Sequence, residues 1–479
     1  MSAGQTFNLI VAGIVLALEL AVLVRAILRP NREPASRLAW VIIILVAPLV
    51  GAIFYLLLGE TRLRRRRMGH EIDSRLPRPP ADESSLRMLQ ASEHYAPFAL
   101  ARTINQLGPT GGNSATLAAD SNSAIDAMVA DVDSAAGSVH LITYIWLEDG
   151  SGLKMKGALA RAARRGVPVR VLADALGSRK FIRSKHWREL IESGADMRVA
   201  LPVGNLLWTI LRGRVDLRNH RKLLVIDDCV AWCGSQNLAD PEFRIKPRFA
   251  PWVDIMARFE GPVALDCQFL FVSDWIAEGG SDIRSCLRNC DSGSGGGEII
   301  AQVIGTGPTL PYDAMPTCFA ELIHSAREEL VVTTPYFVPD EQLLYALLSA
   351  ARRGVRTTLV FPKRNDSMFV AAASRSYYSG LIAAGARIFE FRPGLLHAKT
   401  MVVDKAVALI GSANLDRRSF ELNFENNILF ADRNFAAALR ARQEEFITQS
   451  DAVTAKEVEA FGIGTRFRQN FYAMLSPIL

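Results

Sequence analysis

One pattern of chemically active residues occurs twice in the chain. Both copies read H-x-K-x-x-x-x-D and continue, at the same later spacing, as G-S-x-N. The residues placed in this way are His220, Lys222, Asp227, Ser235 and Asn237 in the first copy, and His397, Lys399, Asp404, Ser412 and Asn414 in the second. Only seven histidines occur in 479 residues. Two of these histidines occupy the same position of the repeated pattern. This predicts a single site assembled from two half-sites, with one imidazole as a nucleophile and the other as an acid/base.

Each copy is predicted to form a β-hairpin. Residues two apart on a strand share a face, so each histidine and its lysine point the same way. The four residues after each lysine are nearly all apolar, as in a strand buried on both faces, and a turn follows. Folding back at that turn brings each serine opposite its histidine, with the asparagine just beyond. Asp227 and Asp404 lie at the turn end of each hairpin, and their side chains point to the opposite face of the strand from the histidine and lysine. This predicts a structural role such as pairing with a neighbouring cation.

A site of this composition is suited to a phosphodiester. Two ammonium groups with hydroxyl and amide donors make a phosphate cradle. One imidazole can attack phosphorus while the other protonates the leaving oxygen. Because the lysines neutralise developing charge, neither a metal nor another cofactor is expected. Each histidine also needs an acceptor that fixes its tautomer, and the candidates are Asp254, downstream of the first copy, and Glu425, downstream of the second.

Length and composition indicate how many domains the chain has and what kind of partner it binds. A chain of 479 residues is too long for one compact domain and sufficient for two. Charged residues make up 22% and hydrophobic residues 49%, which excludes a disordered chain. The net charge of +6 fits an anionic partner surface, either lipid or nucleic acid.

Strand and helix patterns alternate in the same order in both halves. The six residues Ala162–Val167 recur identically as Ala350–Val355, each between a helical pattern and a strand pattern. This predicts two α/β sandwich halves with pseudo-twofold symmetry, at 110–290 and 298–479, that share one site at their seam. A Gly/Ser-rich run at 292–297 is expected to connect them.

Two apolar segments precede these halves. Phe7–Val24 and Leu38–Leu58 are each long enough to cross the hydrocarbon core of a membrane, so residues 1–60 are predicted to form a transmembrane helical hairpin. The alternative is one span with a buried helix beside it. Residues 61–109 are expected to be a basic juxtamembrane segment and linker. The apolar segment at 206–211 is expected either to dip into the membrane interface or to be ordinary core.

A membrane hairpin would place the N-terminus and the catalytic region on the same side of the membrane. Five arginines follow the second apolar segment and four lie between the two segments. Those after the second segment are Arg62 and Arg64–Arg67, and those between the segments are Arg25, Arg29, Arg32 and Arg37. The positive-inside tendency therefore favours a multi-pass protein with a cytoplasmic catalytic region.

The doubled pattern resembles the HKD motif of the phospholipase D superfamily. Around it, from the N-terminal apolar segments to the C-terminus, the sequence resembles the bacterial cardiolipin synthases of that superfamily. The segments that carry this second likeness are residues 216–222 (DLRNHRK), 260–264 (EGPVA), 334–339 (TPYFVP) and 396–400 (LHAKT). The resemblance implies two phospholipase D-like halves with one active site, attached to a bacterial inner membrane.

The resemblance also implies roles for individual residues. The histidines, lysines and aspartates of the two motifs form the catalytic set, with His220 as the nucleophile and His397 as the acid/base. The residues implied to orient the histidines or to bind phosphate are Ser235, Asn237, Asp254, Ser412, Asn414 and Glu425. The implied reaction transfers a phosphatidyl group from one phosphatidylglycerol to another through a phosphohistidine, which releases glycerol and forms cardiolipin without a cofactor.

Other functions stay open at the level of sequence. A phospholipase D would use the same residues with water and form phosphatidic acid, and a related phosphatidyltransferase would take phosphatidylethanolamine as its donor. A nuclease would need a basic groove with stacking aromatic residues rather than membrane segments, so no nucleic-acid partner is expected. A non-catalytic membrane scaffold would not need both motifs intact. Membrane phospholipids are the expected partners, and the sequence indicates no oligomeric state.

Overall fold

The chain is described by a computed structural model, which covers residues 3–29, 34–59, 82–202, 216–243, 245–287 and 297–475. The arginines at 62–67, the apolar segment at 206–211 and the Gly/Ser-rich connector at 292–296 lie outside the described residues. The first helices are α1 (Ala3–Leu28), α2 (Pro34–Val46), α3 (Pro48–Phe54), α4 (Glu83–Gln90) and α5 (Tyr95–Asn105).

Two series of strands and helices follow. The first half contains β1 (Thr110–Leu117), α6 (Ser121–Ser134), β2 (Val139–Thr143), α7 (Gly150–Arg164), β3 (Val169–Asp174), α8 (Arg179–Ile182), α9 (Lys185–Glu192), β4 (Asp196–Ala200), β5 (Arg218–Asn219), β6 (Leu223–Ile226), β7 (Val230–Gly234), β8 (Trp252–Val253), β9 (Met256–Glu260) and α10 (Val263–Ala277). The second half contains β10 (Ile299–Thr306), α11 (Ala314–His324), β11 (Glu329–Thr333), β12 (Phe337–Val338), α12 (Glu341–Arg352), β13 (Arg356–Pro362), α13 (Met368–Ser376), α14 (Tyr378–Ala383), β14 (Arg387–Phe391), β15 (Leu395–Leu396), β16 (Thr400–Val403), β17 (Val407–Gly411), β18 (Leu415–Asp416), α15 (Arg417–Glu421), β19 (Asn423–Ala431), α16 (Arg433–Thr448), β20 (Ser450–Val453), α17 (Ala455–Glu459) and α18 (Ile463–Leu475).

The two halves join in one mixed sheet with an internal repeat. From the centre outward the first half runs β1-β9-β7-β6-β2-β3-β4, and the second runs β10-β19-β17-β16-β11-β13-β14 with β20 added at the edge. Strands β1 and β10 pair antiparallel at the seam. The α10 helix is apolar on nearly all sides and buried along almost its whole length, because it packs in the core beside this seam. The predicted pair of pseudo-symmetric α/β halves is confirmed.

The identical hexapeptides end corresponding helices in the same way. Gly166 and Gly354 both have positive φ, 87° and 88°. The amides of Val167 and Val355 donate to the carbonyls of Ala162 and Ala350. Glycine is favoured in this left-handed position after a helix. The repeated sequence therefore ends a helix at the same point in both halves, just before the next strand.

Part of the segment predicted as a linker is folded. Asp82 caps α4 by accepting from the amides of Ser84 and Ser85. Leu89 of α4 and Phe98 and Ala101 of α5 are buried in the core of the second half. Residues 82–105 therefore pack with the catalytic region rather than connect to it loosely. Helix α4 is largely polar and buries Leu89 on one face, whereas α5 is largely apolar and buries Phe98 and Ala101.

The N-terminal apolar region differs from the predicted hairpin of two spans. Among the described helices, α1 alone has the length and composition to cross a membrane. The second predicted span, Leu38–Leu58, is wrong as a continuous helix because it is broken at Ala47 into α2, α3 and a π-helical turn, Tyr55–Gly59. Pro48 has no amide hydrogen and begins α3, as proline does at a first helical position.

After this break the chain returns along itself. The rings of Trp40 and Tyr55 meet edge to face at 5.5 Å. A Cβ at Gly51 would lie 2.4 Å from the carbonyl oxygen of Ile43, so this close return requires glycine. Arg29 Nη1, just after α1, donates to the carbonyl of Gly59 at 3.5 Å. Both ends of the α2–α3 unit therefore lie beside the C-terminal end of α1.

Candidate active site

The two motifs form the hairpins that their parity predicts. Strand β6 pairs with β7, and β16 with β17, in antiparallel register. The turns at Asp227–Asp228 and Asp404–Lys405 have positive φ at both central residues, which matches the twist of a tight hairpin. The histidine and lysine of each motif precede the first strand of its hairpin, on the side where the two halves meet.

The motif aspartates are engaged far from the histidines. Asp227 accepts hydrogen bonds from the backbone amides of residues 136–138, and Asp404 accepts from those of residues 327–329. Each carboxylate thus fixes the loop that enters β2 or β11. The main partners are backbone amides, and Asp404 also lies 3.9 Å from Nε2 of His94. We infer a structural role for both residues in place of the catalytic one that the resemblance implied.

The carboxylates that hold the histidines are exchanged between the halves. Nδ1 of His220 lies 2.9 Å from both oxygens of Glu425, and Nδ1 of His397 lies 2.6 Å from Oδ1 of Asp254. Chain order had suggested the opposite partners, Asp254 for His220 and Glu425 for His397. Each half therefore supplies the histidine for one imidazole–carboxylate pair and the carboxylate for the other.

Backbone pairing explains this exchange. Strand β5 pairs with β19, and the amide of His220 donates to the carbonyl of Phe424 at 2.9 Å. In the same way β15 pairs with β8, and the amide of His397 donates to the carbonyl of Val253 at 2.8 Å. Each histidine is thus seated one residue from the acid of the opposite half.

The motif serines support the carboxylates. Ser235 Oγ donates to Oδ1 of Asp254 at 2.6 Å, and Ser412 Oγ donates to Oε2 of Glu425. Both hydroxyls are completely buried. A serine committed to a carboxylate orients that carboxylate, so these contacts favour the orienting role over direct phosphate binding.

The motif asparagines lie in the loops just after β7 and β17. Asn237 Oδ1 accepts from the amide of Ile145 at 3.2 Å. Asn414 Nδ2 donates to Ser419 Oγ at 3.2 Å. Both side chains are buried, and each ties its loop to a neighbouring segment of its own half.

The two lysines lie in one buried, charged region. Lys222 Nζ donates to the carbonyl of His220 at 2.8 Å, and Lys399 Nζ donates to that of His397 at 2.5 Å. Burial lowers the pKa of Lys222 to about 8 and, together with the charge of Lys222, that of Lys399 to about 7. Asp254 and Glu425 act on both lysines in the opposite direction. Since the lysines feel each other and both acids, the half-sites form one site, and a bound anion would stabilise both ammonium groups.

Both imidazoles are neutral in this environment at neutral pH. Burial lowers the pKa of His220 to about 4 and also lowers that of His397, and the adjacent lysines act in the same direction. Burial raises the pKa of Glu425 and Asp254, but their histidine and lysine partners outweigh it, so both acids stay ionised. A neutral imidazole that donates Nδ1–H to a carboxylate carries its lone pair on Nε2, which is the form a nucleophile needs.

Aromatic rings enclose the histidines. The ring of Tyr144 lies 4.8 Å from that of His220, and Lys222 Nζ lies 5.4 Å from the Tyr144 ring. On the other side, Trp252 lies 4.8 Å and Tyr336 6.5 Å from His397. These rings cover the imidazoles, and both histidines are buried.

Sequence reasoning missed Trp252 and Asn426. Asn426 Oδ1 accepts from the amide of Lys222 at 2.9 Å, and its Nδ2 donates to the carbonyl of Lys222 at 3.2 Å, so it links β19 of one half to the motif of the other. The signal was present: residues 423–427 read N-F-E-N-N inside a strand that is otherwise apolar and buried. Buried amides in a strand need partners, and here the partner is the opposite motif.

Comparison with known proteins identifies the family. The model for "Cardiolipin synthase, PLD-like domain" matches residues 128–246 and 319–447, one match in each half. The chain belongs to this family. Residues 17–60 match a second model, "Phospholipase D-nuclease N-terminal".

Relatives match over nearly their whole length. Cardiolipin synthase A of Edwardsiella ictaluri (strain 93-146) is 37% identical over 463 residues, which cover 95% of this chain and 95% of that protein. Cardiolipin synthase A of Escherichia coli (strain K12 / DH10B) is 36% identical over 470 residues, with 95% of each chain covered. Among solved structures, phosphatidylserine synthase of Haemophilus influenzae Rd KW20 matches 80% of this chain and 100% of its own, with a TM-score of 0.58 at 14% identity. That last likeness concerns the fold alone.

Proposed function

We propose that the protein is a cardiolipin synthase, which transfers a phosphatidyl group from one phosphatidylglycerol to another and releases glycerol. The relatives named Cardiolipin synthase A support this over 95% of the chain. The exchanged pairs His220–Glu425 and His397–Asp254 carry the proposal. Because each imidazole is oriented by the other half, both reacting groups belong to one site and neither half is complete alone.

In the first step Nε2 of His220 attacks the phosphorus of one phosphatidylglycerol. A phosphorus–nitrogen bond forms, the bond from phosphorus to the glycerol oxygen breaks, and His397 gives its proton to that oxygen. The substrate anion raises the pKa of nearby His397, so that His397 holds a proton when substrate is bound. Lys222 and Lys399 stabilise the charge that develops on the phosphoryl oxygens.

In the second step a hydroxyl of another phosphatidylglycerol gives its proton to His397 and attacks phosphorus. The new phosphorus–oxygen bond forms as the bond to His220 breaks, and cardiolipin leaves. One phosphodiester replaces another, so the free energies of substrates and products are similar and glycerol loss draws the reaction forward. Burial of both imidazoles limits access of water and favours a lipid hydroxyl as the acceptor.

Incubation of the purified full-length protein with vesicles of phosphatidylglycerol alone tests this reaction. We expect cardiolipin and glycerol in equal amounts, measured by lipid mass spectrometry and a glycerol assay. Phosphatidic acid as the main product would instead assign a hydrolytic phospholipase D. Isotope-labelled phosphatidylethanolamine added to the same vesicles would reveal a donor of that class by label in cardiolipin.

We further propose that the protein crosses the bacterial inner membrane once, through α1, with its catalytic region in the cytoplasm. The support is the return of the α2–α3 unit. Helix α2 has 13 residues, about 20 Å at the α-helical rise, against a hydrocarbon core of about 30 Å. Arg37 Nη2 donates to the carbonyl of Arg29 at 3.0 Å, and Arg29 contacts Gly59. Arg25, Arg29 and Arg37 then lie on one side of the membrane, whereas residues 3–8 carry no charged side chain. The positive-inside tendency favours the cytoplasm for the side that holds these three arginines.

Protease accessibility distinguishes these topologies. We expect an epitope tag before residue 1 to be removed by protease added to intact spheroplasts, and a tag after residue 479 to be protected. Lysed spheroplasts should lose both tags, and the tagged protein should still form cardiolipin. Protection of both tags in intact spheroplasts would mean that the N-terminus shares the cytoplasmic side, as in a two-span hairpin.

A further inference from the structure

A cavity of the second half lies close to His397. Its volume is about 330 Å³, within the range of small-ligand sites. Tyr336, whose ring lies 6.5 Å from that of His397, forms the inner wall. Phe369 and Val370 of α13 and Tyr472 of α18 line the outer part. Because Tyr336 lines the cavity and also packs near His397, the cavity adjoins the reacting site.

The cavity has charged and apolar lining residues. Asp416, Arg417 and Arg418, which begin two residues after Asn414 of the second motif, supply the charged part. The remainder is closed by aromatic and aliphatic side chains, with the rings of Phe369 and Tyr472 4.9 Å apart. A ligand matched to this lining carries an anionic group at one end and a hydrocarbon chain at the other.

The cavity is built from parts that the internal repeat does not share. The first motif continues after Asn237 as Leu-Ala-Asp-Pro, whereas the second continues after Asn414 as Leu-Asp-Arg-Arg. Helix α18 lies beyond the repeated strands and helices and packs on α13. The repeat alone supplies the symmetric chemistry, but donor and acceptor lipids are different partners in each step. Only elements that the two halves do not share can distinguish the donor lipid from the acceptor lipid.

Helix α18, which supplies Tyr472 to the cavity wall, also carries an exposed apolar stripe. Ile463, Phe467, Phe471 and Met474 lie on one helical face, and Ile463 and Phe467 are 88% and 72% exposed. Met368 and Phe369 of α13 are also exposed beside it. Arg466 and Arg468 are exposed on the same helix. An apolar stripe beside basic residues is typical of a helix that lies in the surface of an anionic membrane.

We propose that this cavity binds an acyl chain of the phosphatidyl group beside His397, and that the α18 stripe rests in the membrane surface so that a lipid passes from the bilayer into the cavity. This inference rests on the proposed function. The occupant is a phospholipid from the same membrane: the basic residues fit its anionic headgroup, the apolar walls fit its chain, and the stripe lies on the helix that supplies Tyr472 to the cavity wall. Because α1 holds the protein at a membrane, α18 needs only to add local contact, not to supply attachment.

Two variants test the two parts of the inference. Val370→Trp fills the cavity, and Phe467→Glu with Met474→Glu places charge on the stripe. The substrates are dihexanoyl phosphatidylglycerol as a dispersed monomer and dipalmitoyl phosphatidylglycerol in vesicles. We expect each variant to lower the ratio of long-chain to short-chain cardiolipin formation on the order of tenfold, because every methylene removed from water contributes a several-fold factor to binding. Ile191→Glu, at an exposed apolar position of the first half, should leave this ratio unchanged.

The outcomes separate this inference from the proposed reaction. If the wild-type protein forms cardiolipin from both substrates but neither variant changes the ratio, the cavity and the stripe are not the lipid path. A variant that loses both rates equally also speaks against the inference, whether through folding or through the chemical step. If the wild-type protein forms no cardiolipin from either substrate, the proposed reaction itself fails.

Discussion

Replacing His220 with alanine should abolish cardiolipin formation without trapping lipid on the protein, whereas His397→Ala should accumulate a phosphatidylated enzyme. Without the His220 imidazole no phosphorus–nitrogen bond can form. Without that of His397 the first step is slowed, but the second step also lacks its base, so the intermediate persists once formed. We expect each variant to lose at least about three orders of magnitude in turnover, since residues that act as a unit lose most of the rate singly.

The measurement is radiolabel from phosphatidylglycerol labelled at its phosphorus that stays with the denatured protein. A phosphoramidate should release this label in acid and retain it in base, where only the acyl esters are lost. His324→Ala, which removes an exposed imidazole at the end of α11, is the matched control and should behave like the wild type. If label accumulates on His220→Ala and not on His397→Ala, the two roles are exchanged. Equal turnover of all three variants would remove both histidines from the chemistry.

The hairpins of the site could be predicted because their signals are local. Parity along a strand sets which side chains share a face, and an apolar run followed by a turn sets the fold-back, so Ser235 and Ser412 were expected near the histidines. The same alternation along the strand predicted that Asp227 and Asp404 lie away from the histidines. Their partners did not, because backbone amides at 136–138 and 327–329 have no side-chain signature in the sequence.

The exchange of carboxylates was beyond sequence reasoning for a physical reason. It depends on β5 and β15, strands of two residues each, which pair with segments about 200 and 140 residues away in the chain. No periodicity marks so short a strand, and proximity in the chain favoured the wrong partners. The break in the second apolar segment, by contrast, could have been predicted from Pro48 and Gly51, which disfavour a continuous helix. The high hydropathy of the whole segment drew attention away from these two residues.

Glu425→Gln should act through His220 and Asp254→Asn through His397, opposite to the order of the chain. An amide in place of the carboxylate can donate to Nδ1, which moves the imidazole proton to Nε2 and removes the reactive lone pair. We expect losses on the order of a hundred- to ten-thousandfold, as for other carboxylates that orient an imidazole. Glu425→Gln should therefore form little labelled intermediate, and Asp254→Asn should accumulate it. Pairing within each half would give the reverse pattern.

The pH dependence provides an independent check on the Asp254 pair. The negative charge of Asp254 raises the pKa of His397 against the larger, lowering effect of burial. Its removal must lower that pKa further, so the protonated acid of the first step exists only at lower pH. The alkaline limb of kcat/KM for Asp254→Asn should consequently shift to lower pH relative to the wild type. Asp126→Asn, which removes an exposed carboxylate that pairs with Lys154, should leave that limb in place. An unshifted alkaline limb in Asp254→Asn would mean that His397 does not serve as the acid. The substitution removes the negative charge beside Nδ1, so a limb that reports the pKa of His397 has to move.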